Sequence, residues 1–251
     1  GTTDFVLTKM IEEGMSFEEA LKIAQEKGYA EKDPTADVEG HDACRKVCIL
    51  ASLAFGKHVY PNQVETEGIT NISLEDVSYI ENAGGVIKLL GQIKYINGNE
   101  IAALVSPAVV YNGSQLASVK DVFNAILVRG DAVGDVCFYG PGAGKLPTAS
   151  AVVADIIDCA KHSDRKKIFG WGEGSENYVV DYKEKIEMPF YVRAKATPNE
   201  VNSKFADVKF LSRKGQPSDE VAFITDYMTE NELNKKLDGM NVINTIKVTN
   251  Y

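Results

Sequence analysis

The dipeptide Asn97-Gly98 separates two long runs that are rich in apolar residues, 86–96 and 100–105. Asn-Gly is typical of the two-residue turn of a β-hairpin, because both of its residues accept the positive φ that this turn requires. The pattern therefore predicts an antiparallel hairpin near the middle of the chain. Shorter apolar runs at 109–111, 125–128 and 133–139 are predicted to continue the same sheet.

Helical signals precede and follow these strands. Residues 5–13 are predicted to be helical, and Ser16 with Glu19 forms a capping box for a second helix that stops at Gly28. Further helices are predicted from about 42 to 56, from 73 to about 82 and from 148 to about 161. Residues 1–170 are therefore predicted to form an α+β domain, a mixed sheet with helices packed on one face.

Six short elements follow one another at the C-terminal end of the chain. They are strand 190–196, helix 198–204, strand 208–213, strand 221–227, helix 230–238 and strand 242–249. The order βαββαβ is typical of ferredoxin-like domains. We therefore expect a second, smaller domain over residues 186–251, after a glycine-rich linker at 170–175.

Composition narrows the classes of partner and compartment. With 27 Lys and Arg against 36 Asp and Glu, the 251 residues carry a formal net charge of −9, which disfavours binding to nucleic acid or to anionic membranes. No apolar run approaches the roughly 20 residues of a membrane span and no secretory leader is present, so a cytoplasmic protein is expected. Free thiols, rather than disulfides or metal ligands, are predicted for Cys44, Cys48, Cys137 and Cys159. The three histidines show no metal-binding spacing, so no metal site is predicted.

Charged side chains gather around the start of the third predicted helix. Asp42 and Lys46 are four residues apart and share one helix face, while Glu31 and Asp37 lie on the loop that leads into it. A lysine held among carboxylates can bind the charged groups of an amino acid or move a proton at a carbinol carbon. The alternative is a solvated surface pair that contributes about 0.3 kcal/mol to helix stability.

A second candidate site is the glycine-rich segment at 140–144, directly before a predicted helix. Its glycines could let backbone N–H groups approach an anion or a flat ring, or they could simply form a tight strand-to-helix turn. A phosphate-binding loop of the Gly-x-x-x-x-Gly-Lys-Ser/Thr type is excluded, because Leu146 follows Lys145.

Three motifs, in the same order, resemble those of homoserine dehydrogenases. Residues 1–10 are similar to the segment that opens the substrate domain of that family. Residues 28–34 read Gly-Tyr-x-Glu-x-Asp-Pro, and are followed by an Asp, a Gly and the Asp-x-x-Arg-Lys of residues 42–46. Residues 140–149 resemble the glycine loop of the family.

This resemblance implies an enzyme that interconverts L-homoserine and L-aspartate 4-semialdehyde with NAD or NADP, in the biosynthesis of threonine, methionine and isoleucine. Lys46 matches the catalytic lysine and Asp42 would hold it charged and oriented, while Glu31 and Asp37 would bind the substrate. The resemblance places the nicotinamide end of the cofactor beside Gly28 and the loop residues Gly142, Ala143 and Gly144. Asp33, before Pro34, is expected to shape its loop rather than to touch substrate.

Other parts of the family pattern are missing or altered. No Gly-x-Gly-x-x-Gly occurs, so we expect the cofactor to be bound mainly by an N-terminal domain that is not among these residues. The choice between NAD and NADP therefore stays open. The resemblance also implies a homodimer and an ACT-like regulatory domain at 186–251, although the family's Pro-Gly-Val-Leu turn is here replaced at 198–201. Asp4 stands where the family has asparagine, which adds a charge near the site.

Two functional hypotheses follow from these observations. The first is the substrate-binding and catalytic part of a homoserine dehydrogenase. The second is a protein that binds an amino acid, or regulates, on the same scaffold without catalysis, since the carboxylate–lysine cluster fits both.

Overall fold

The structure is a computed structural model that describes residues 2–98, 100–142, 144–165, 168 and 170–249. The helices are α1 (Thr2–Glu13), α2 (Phe17–Glu26), α3 (Thr35–Val38), α4 (His41–Phe55), α5 (Leu74–Asn82), α6 (Lys145–Lys161), α7 (Tyr182–Lys185), α8 (Pro198–Lys204) and α9 (Glu230–Leu237). The strands are β1 (Glu65–Thr66), β2 (Gly85–Asn97), β3 (Glu100–Tyr111), β4 (Phe123–Gly130), β5 (Gly134–Pro141), β6 (Phe190–Lys195), β7 (Val208–Leu211), β8 (Glu220–Thr225) and β9 (Asn241–Thr249). Among the described residues, no helix is long and apolar enough to cross a membrane.

Seven strands form one mixed sheet in the order β1-β3-β9-β6-β8-β7, and β2 pairs with β3 as well. The β2–β3 pair is antiparallel, whereas β1 and β9 each run parallel to β3. The predicted α+β chain with a mixed sheet is thereby confirmed. The α3 helix was missed, because its four residues are too short to show a helical period.

The predicted hairpin forms, but its turn lies one residue later than Asn97-Gly98. Asn97 already pairs with Glu100, and the register shifts between Tyr95 and Asn97. A bulge of this kind leaves one residue unpaired and disrupts the ladder only locally, so pairing resumes beyond it. Residue 99 lies outside the described residues.

The prediction that 125–128 and 133–139 continue the main sheet is wrong. These residues belong to β4 and β5, which pair with each other in a separate two-stranded sheet. Several of their apolar side chains are exposed, as are those of α6, which buries no residue. The strand pattern identifies a hairpin correctly, but it does not say which sheet the hairpin joins.

Apolar side chains cover both faces of the seven-stranded sheet. On one face, α1, α2 and α5 pack on Ile87 and Val109, and α4 packs on Ile101 and Ala103 of the same side of β3. Tyr182 in α7 and the buried residues of α8 and α9 pack on the opposite face, around Phe223. Helices therefore lie on one face in the first part of the chain, as predicted, while later helices cover the other face.

The C-terminal strands stand side by side in the order β9-β6-β8-β7, and all neighbouring pairs are antiparallel. The same sheet continues into β3 through the parallel pairing of β9, with Ala108 opposite Lys247. One sheet therefore carries both the N-terminal helices and the βαββαβ segment.

The segment predicted to be a linker is hydrogen-bonded to the end of α4. Gly172 donates its N–H to the carbonyl of Gly56 at 2.9 Å, and His58 donates to the carbonyl of Gly172 at 2.9 Å. Trp171 Nε1 donates to His58 Nδ1 at 3.1 Å. This stretch therefore holds the C-terminal end of α4 rather than hanging free between two domains.

Candidate active site

The first substrate-site loop begins where α2 ends at a glycine. Gly28 has a φ of 72°, in the left-handed region that favours glycine. Its N–H bonds to the carbonyl of Gln25 at 3.0 Å, and that of Tyr29 bonds to Ala24 at 2.9 Å. These are the two bonds of a Schellman motif, so a structural reason for Gly28 exists without any cofactor.

Glu31 lies on this loop with its side chain exposed. The loop backbone is held from α2, since Gln25 Nε2 donates to the carbonyls of Glu31 at 3.1 Å and Lys32 at 3.3 Å. Among the described residues, the Glu31 carboxylate forms no hydrogen bond or ion pair. The carboxylate is therefore available to a ligand.

Asp33 has a local role. Its Oδ1 accepts hydrogen bonds from the backbone N–H of Thr35 at 3.1 Å and from the Thr35 hydroxyl at 2.6 Å. These bonds lower the pKa of the Asp33 carboxyl, with the side-chain bond as the larger cause. Asp33 thus fixes the start of α3, in keeping with the expected loop-shaping role.

The junction between α3 and α4 is held tightly against the segment after β1. Ile69 donates its N–H to the carbonyl of Val38 at 2.8 Å. A Cβ at Gly68 would lie 2.3 Å from that same carbonyl oxygen, so the close approach requires glycine. Gly40 begins α4 with a φ of 79°. This packing fixes Asp37 on one side of the junction and Asp42 on the other.

Asp42 and Lys46 form the predicted pair on α4. Lys46 Nζ lies 2.6 Å from Asp42 Oδ2, and the two side chains are 68% and 45% exposed. The helix is seated on the sheet by Val47, whose Cγ2 would lie 2.3 Å from a Cβ at Gly91. The pair therefore projects from a rigid helix, open to a ligand, in an orientation set by the core beneath it.

Asp37 lies within electrostatic range of that pair. Burial raises the pKa of the Asp37 carboxyl, and the negative charge of Asp42 adds to the increase. A hydrogen bond with Thr2 and the charge of Lys46 act in the opposite direction. The structure thus brings Asp37, Asp42 and Lys46 together, whereas Glu31 forms no hydrogen bond or ion pair with them.

The glycine-rich segment is only partly described, because Ala143 lies outside the described residues. Gly144 has a φ of 110° and precedes α6, whose first turn has no side-chain cap. A Cβ at Gly140 would meet no atom within 4 Å, so this part of the segment is open. Uncapped N–H groups at the start of a helix fit a phosphate or a carboxamide, which is what a nicotinamide dinucleotide presents. Among the described residues, no hydrogen bond or ion pair joins Gly142 or Gly144 to the Asp42–Lys46 pair.

Asp4 is paired rather than directed at the substrate loop. Its carboxylate lies 2.8 Å from Lys88 Nζ, and the two side chains are 14% and 6% exposed. Lys88 also donates to the carbonyl of Val119. Burial raises the pKa of Asp4, and Lys88 opposes this. The extra charge at this position is therefore balanced within the core.

Some contributors to the site were missed from the sequence. The Thr2 hydroxyl donates to the carbonyl of Tyr29 at 2.7 Å and so ties the start of α1 to the loop that carries Glu31. Asn124 in β4 lies against Gly142. Neither of these two contacts is indicated by a sequence pattern, because each contact joins residues that are far apart in the chain.

Three carboxylates elsewhere, Glu65, Glu67 and Glu230, have oxygens within 4.8 Å of one another. Lys183 lies 2.5 Å from Glu65, and Lys247 lies 2.7 Å from Glu67 and 3.0 Å from Glu230. These ammonium groups occupy the place that a cation would take, so the cluster is an ion-pair network.

The chain is similar to known proteins of one enzyme family. The family model described as "Homoserine dehydrogenase" matches residues 1–157. Curated proteins named homoserine dehydrogenase are 47% identical over 162 residues in Bacillus subtilis and 40% identical over 193 residues in Helicobacter pylori. These matches cover 64% and 77% of this chain, but 37% and 45% of the relatives. The chain therefore spans less than half the length of these two curated relatives.

Solved structures of homoserine dehydrogenases are also similar to this chain. A homoserine dehydrogenase from Thiobacillus denitrificans matches 100% of this chain and 62% of its own with a TM-score of 0.85 at 32% identity. One from S. aureus matches 100% of this chain and 64% of its own, with a TM-score of 0.81 at 34% identity. A hyperthermophilic archaeal homoserine dehydrogenase in complex with NADPH matches 64% of this chain and 44% of its own, with a TM-score of 0.50 at 30% identity.

Proposed function

This chain belongs to the homoserine dehydrogenase family, and from that premise we propose that it forms the substrate-binding and catalytic part of an NAD(P)-dependent homoserine dehydrogenase. The enzyme would interconvert L-homoserine and L-aspartate 4-semialdehyde in amino-acid biosynthesis. The observation that carries the proposal is the 2.6 Å pair of Asp42 and Lys46, solvent-accessible on a rigid helix and beside Asp37.

Lys46 is proposed to move the proton at the substrate oxygen. A bound nicotinamide supplies or accepts the hydride at C4 of the substrate. During reduction of the aldehyde, negative charge develops on the attached oxygen, and the ammonium of Lys46 stabilises this charge and donates a proton to it. In the reverse direction, the neutral amine accepts the proton of the alcohol. Asp42 keeps Lys46 oriented through their ion pair.

The two other carboxylates are proposed to hold the substrate. Glu31 has a carboxylate without a protein partner among the described residues, so it can accept hydrogen bonds from the substrate ammonium. Asp37 lies close enough to the Asp42–Lys46 pair to bind the same molecule.

The cofactor is proposed to touch this chain at Gly28 and at Gly142, Ala143 and Gly144. The open, uncapped start of α6 supports this placement. The larger part of the dinucleotide would be bound by an N-terminal domain, since no dinucleotide fingerprint occurs in these residues. The NADPH complex of one relative supports a nicotinamide dinucleotide as cofactor, and the choice between NAD and NADP is not assigned.

Three further features belong to the same proposal. Residues 1–170 would form the catalytic domain, and residues 186–251 an ACT-like regulatory domain, which the βαββαβ order and the strand order β9-β6-β8-β7 support. Exposed apolar side chains on β4, β5 and α6 support a homodimer or a further domain that covers them. Four free cysteines support a reducing, cytoplasmic location.

Replacement of Lys46 tests the catalytic assignment in the complete enzyme. We expect Lys46→Ala to lower kcat by about 100-fold or more, the scale typical of a lost general acid. Lys46→Arg keeps the positive charge but cannot exchange its proton near neutral pH, so it should be nearly as slow. Lys22→Ala, at an exposed lysine of α2, is the matched control and should leave kcat unchanged.

The outcomes separate proton transfer, electrostatics and the non-catalytic alternative. Wild-type turnover in Lys46→Ala would remove Lys46 from the chemistry, and normal turnover in Lys46→Arg alone would assign it a purely electrostatic role. Homoserine binding by the wild-type protein without any turnover would favour the amino-acid-binding protein.

A further inference from the structure

Asn124 lies directly beside the glycine-rich segment. It is the second residue of β4, and its backbone pairs with that of Gly140 across the β4–β5 ladder. Its side chain is half-buried. Asn124 is thus anchored by strand pairing at the place where β5 leads into the segment.

The Asn124 amide occupies the space that a side chain at residue 142 would need. A Cβ at Gly142 would lie 2.0 Å from Asn124 Nδ2 and 2.8 Å from its Cγ. Gly142 is not among the residues with positive φ, so its backbone conformation does not by itself call for glycine. A side chain at residue 142 would therefore have to displace the Asn124 amide.

One carbonyl links the two residues. Val122 accepts a hydrogen bond from the N–H of Gly142 at 3.4 Å and another from Asn124 Nδ2 at 3.4 Å. Gly142 is therefore held beside the start of β4 by a backbone bond and by the packed amide. Two residues later, the φ of 110° at Gly144 turns the chain into the uncapped start of α6.

We propose that Asn124 is a positioning residue that clamps Gly142 and thereby sets where the N–H groups at the start of α6 meet the cofactor. This inference rests on the proposed function and goes beyond it. It explains the glycine at residue 142 by the packing of a protein side chain, not by the approach of the ligand. In this proposal Asn124 acts through Gly142 and not by contact with the substrate.

Size complementation between residues 124 and 142 tests the clamp in the complete enzyme. Asn124→Ala removes the amide. Gly142→Ala introduces a methyl group that must displace it. In the double variant, the nearest remaining atom is Cβ of residue 124 at 3.5 Å, an ordinary van der Waals separation. The added methyl should therefore fit where the amide was.

Two readouts are compared for these variants. The first is amide hydrogen exchange of residues 140–148 in the cofactor-free enzyme, and the second is the Kd of NADPH and NADH from nicotinamide fluorescence. Each single variant should speed exchange in this segment and raise Kd about tenfold, while the double variant should lie closer to wild type than Gly142→Ala does. Asn202→Ala, at an exposed asparagine of α8, is the control and should change neither readout.

A double variant no better than Gly142→Ala would overturn the clamp and leave close approach of the ligand as the reason for glycine. Unchanged exchange in Asn124→Ala would overturn it as well. Failure of the wild-type enzyme to bind either nucleotide would refute the proposed function instead, and the exchange data would still decide whether Asn124 holds the segment.

Discussion

Replacing Arg193 with methionine should remove the cation that bridges two buried carboxylates. Arg193 lies on β6, and its side chain is 8% exposed. Its guanidinium lies 2.9 Å from Asp76 of α5, which is fully buried, and 3.5 Å from Glu220 of β8. It also donates to the hydroxyl of Ser73 at 3.0 Å. The guanidinium therefore joins α5 to the C-terminal strands.

The size of the stability loss depends on the hydrogen bonds and ion pairs that the two carboxylates retain in the variant. Glu220 keeps the guanidinium of Arg213 at 2.9 Å and the Tyr79 hydroxyl at 2.9 Å. Asp76 loses its ion pair with Arg193, but it still accepts from the Tyr191 hydroxyl at 2.9 Å and from Asn244 Nδ2 at 2.8 Å. Burial raises the pKa of Tyr79 to about 12 and also raises that of Tyr191, so both stay neutral donors. Breaking a buried ion pair costs about 3–5 kcal/mol. Because these donors remain, we expect the lower end, about 3 kcal/mol.

Urea unfolding of the purified protein at pH 7 measures this loss. With a slope near 3 kcal/mol per molar urea, the midpoint should fall by about 1 M at pH 7.

The matched control lies on the same strand. Lys195 is 3.6 Å from Asp219, with side chains 58% and 65% exposed, so Lys195→Met should change stability by about 0.5 kcal/mol or less. A loss below about 1 kcal/mol in Arg193→Met at pH 7 would refute the reasoning.

Two further predictions concern the substrate carboxylates of the complete enzyme. Glu31→Gln should raise KM for homoserine about tenfold, since a charge-assisted hydrogen bond contributes about 1.5–3 kcal/mol. It should leave the melting temperature unchanged, because Glu31 is exposed. Glu26→Gln on the last turn of α2 is the control, and a large fall in melting temperature with unchanged KM would make Glu31 structural. Burial raises the pKa of Asp37, so its ionisation at neutral pH opposes folding, and stability gained from its protonation appears as the pH falls through the folded pKa. Asp37→Asn should therefore not lower the urea midpoint at pH 7 and should raise KM for homoserine there, whereas a lower midpoint with unchanged KM would contradict its role as a substrate ligand.

Local chemistry made much of the fold predictable. The capping box at Ser16, the start of a helix at Ser73 and the end of α2 at Gly28 depend on residues at most four or five positions apart, and all three form as predicted. The hairpin of β2 and β3 was equally local, apart from the one-residue shift at its turn. Such signals are reliable because the interacting groups are brought together by the element itself.

The position of β4 and β5 could not be predicted on the same grounds. Their alternation is that of strands, and nothing within 125–139 indicates that β9 would take the place beside β3. Partner choice in a sheet is settled by whichever edge and apolar face fit together, and here the competing strand lies more than 100 residues later in the chain. The periodicity of a sequence segment therefore predicts a strand, but not which strand it will pair with.

The same distinction divides the candidate site. Asp42 and Lys46 could be paired from their spacing, because one helical turn separates them. The environment of Asp37 could not, since its burial depends on how α1, α3 and the segment at Gly68 pack together. Asn124 stands 18 positions from Gly142 in the chain, yet its amide lies where a Cβ at residue 142 would stand. A glycine motif therefore suggests that space is needed, and only the fold shows whether a ligand or a neighbouring side chain fills it.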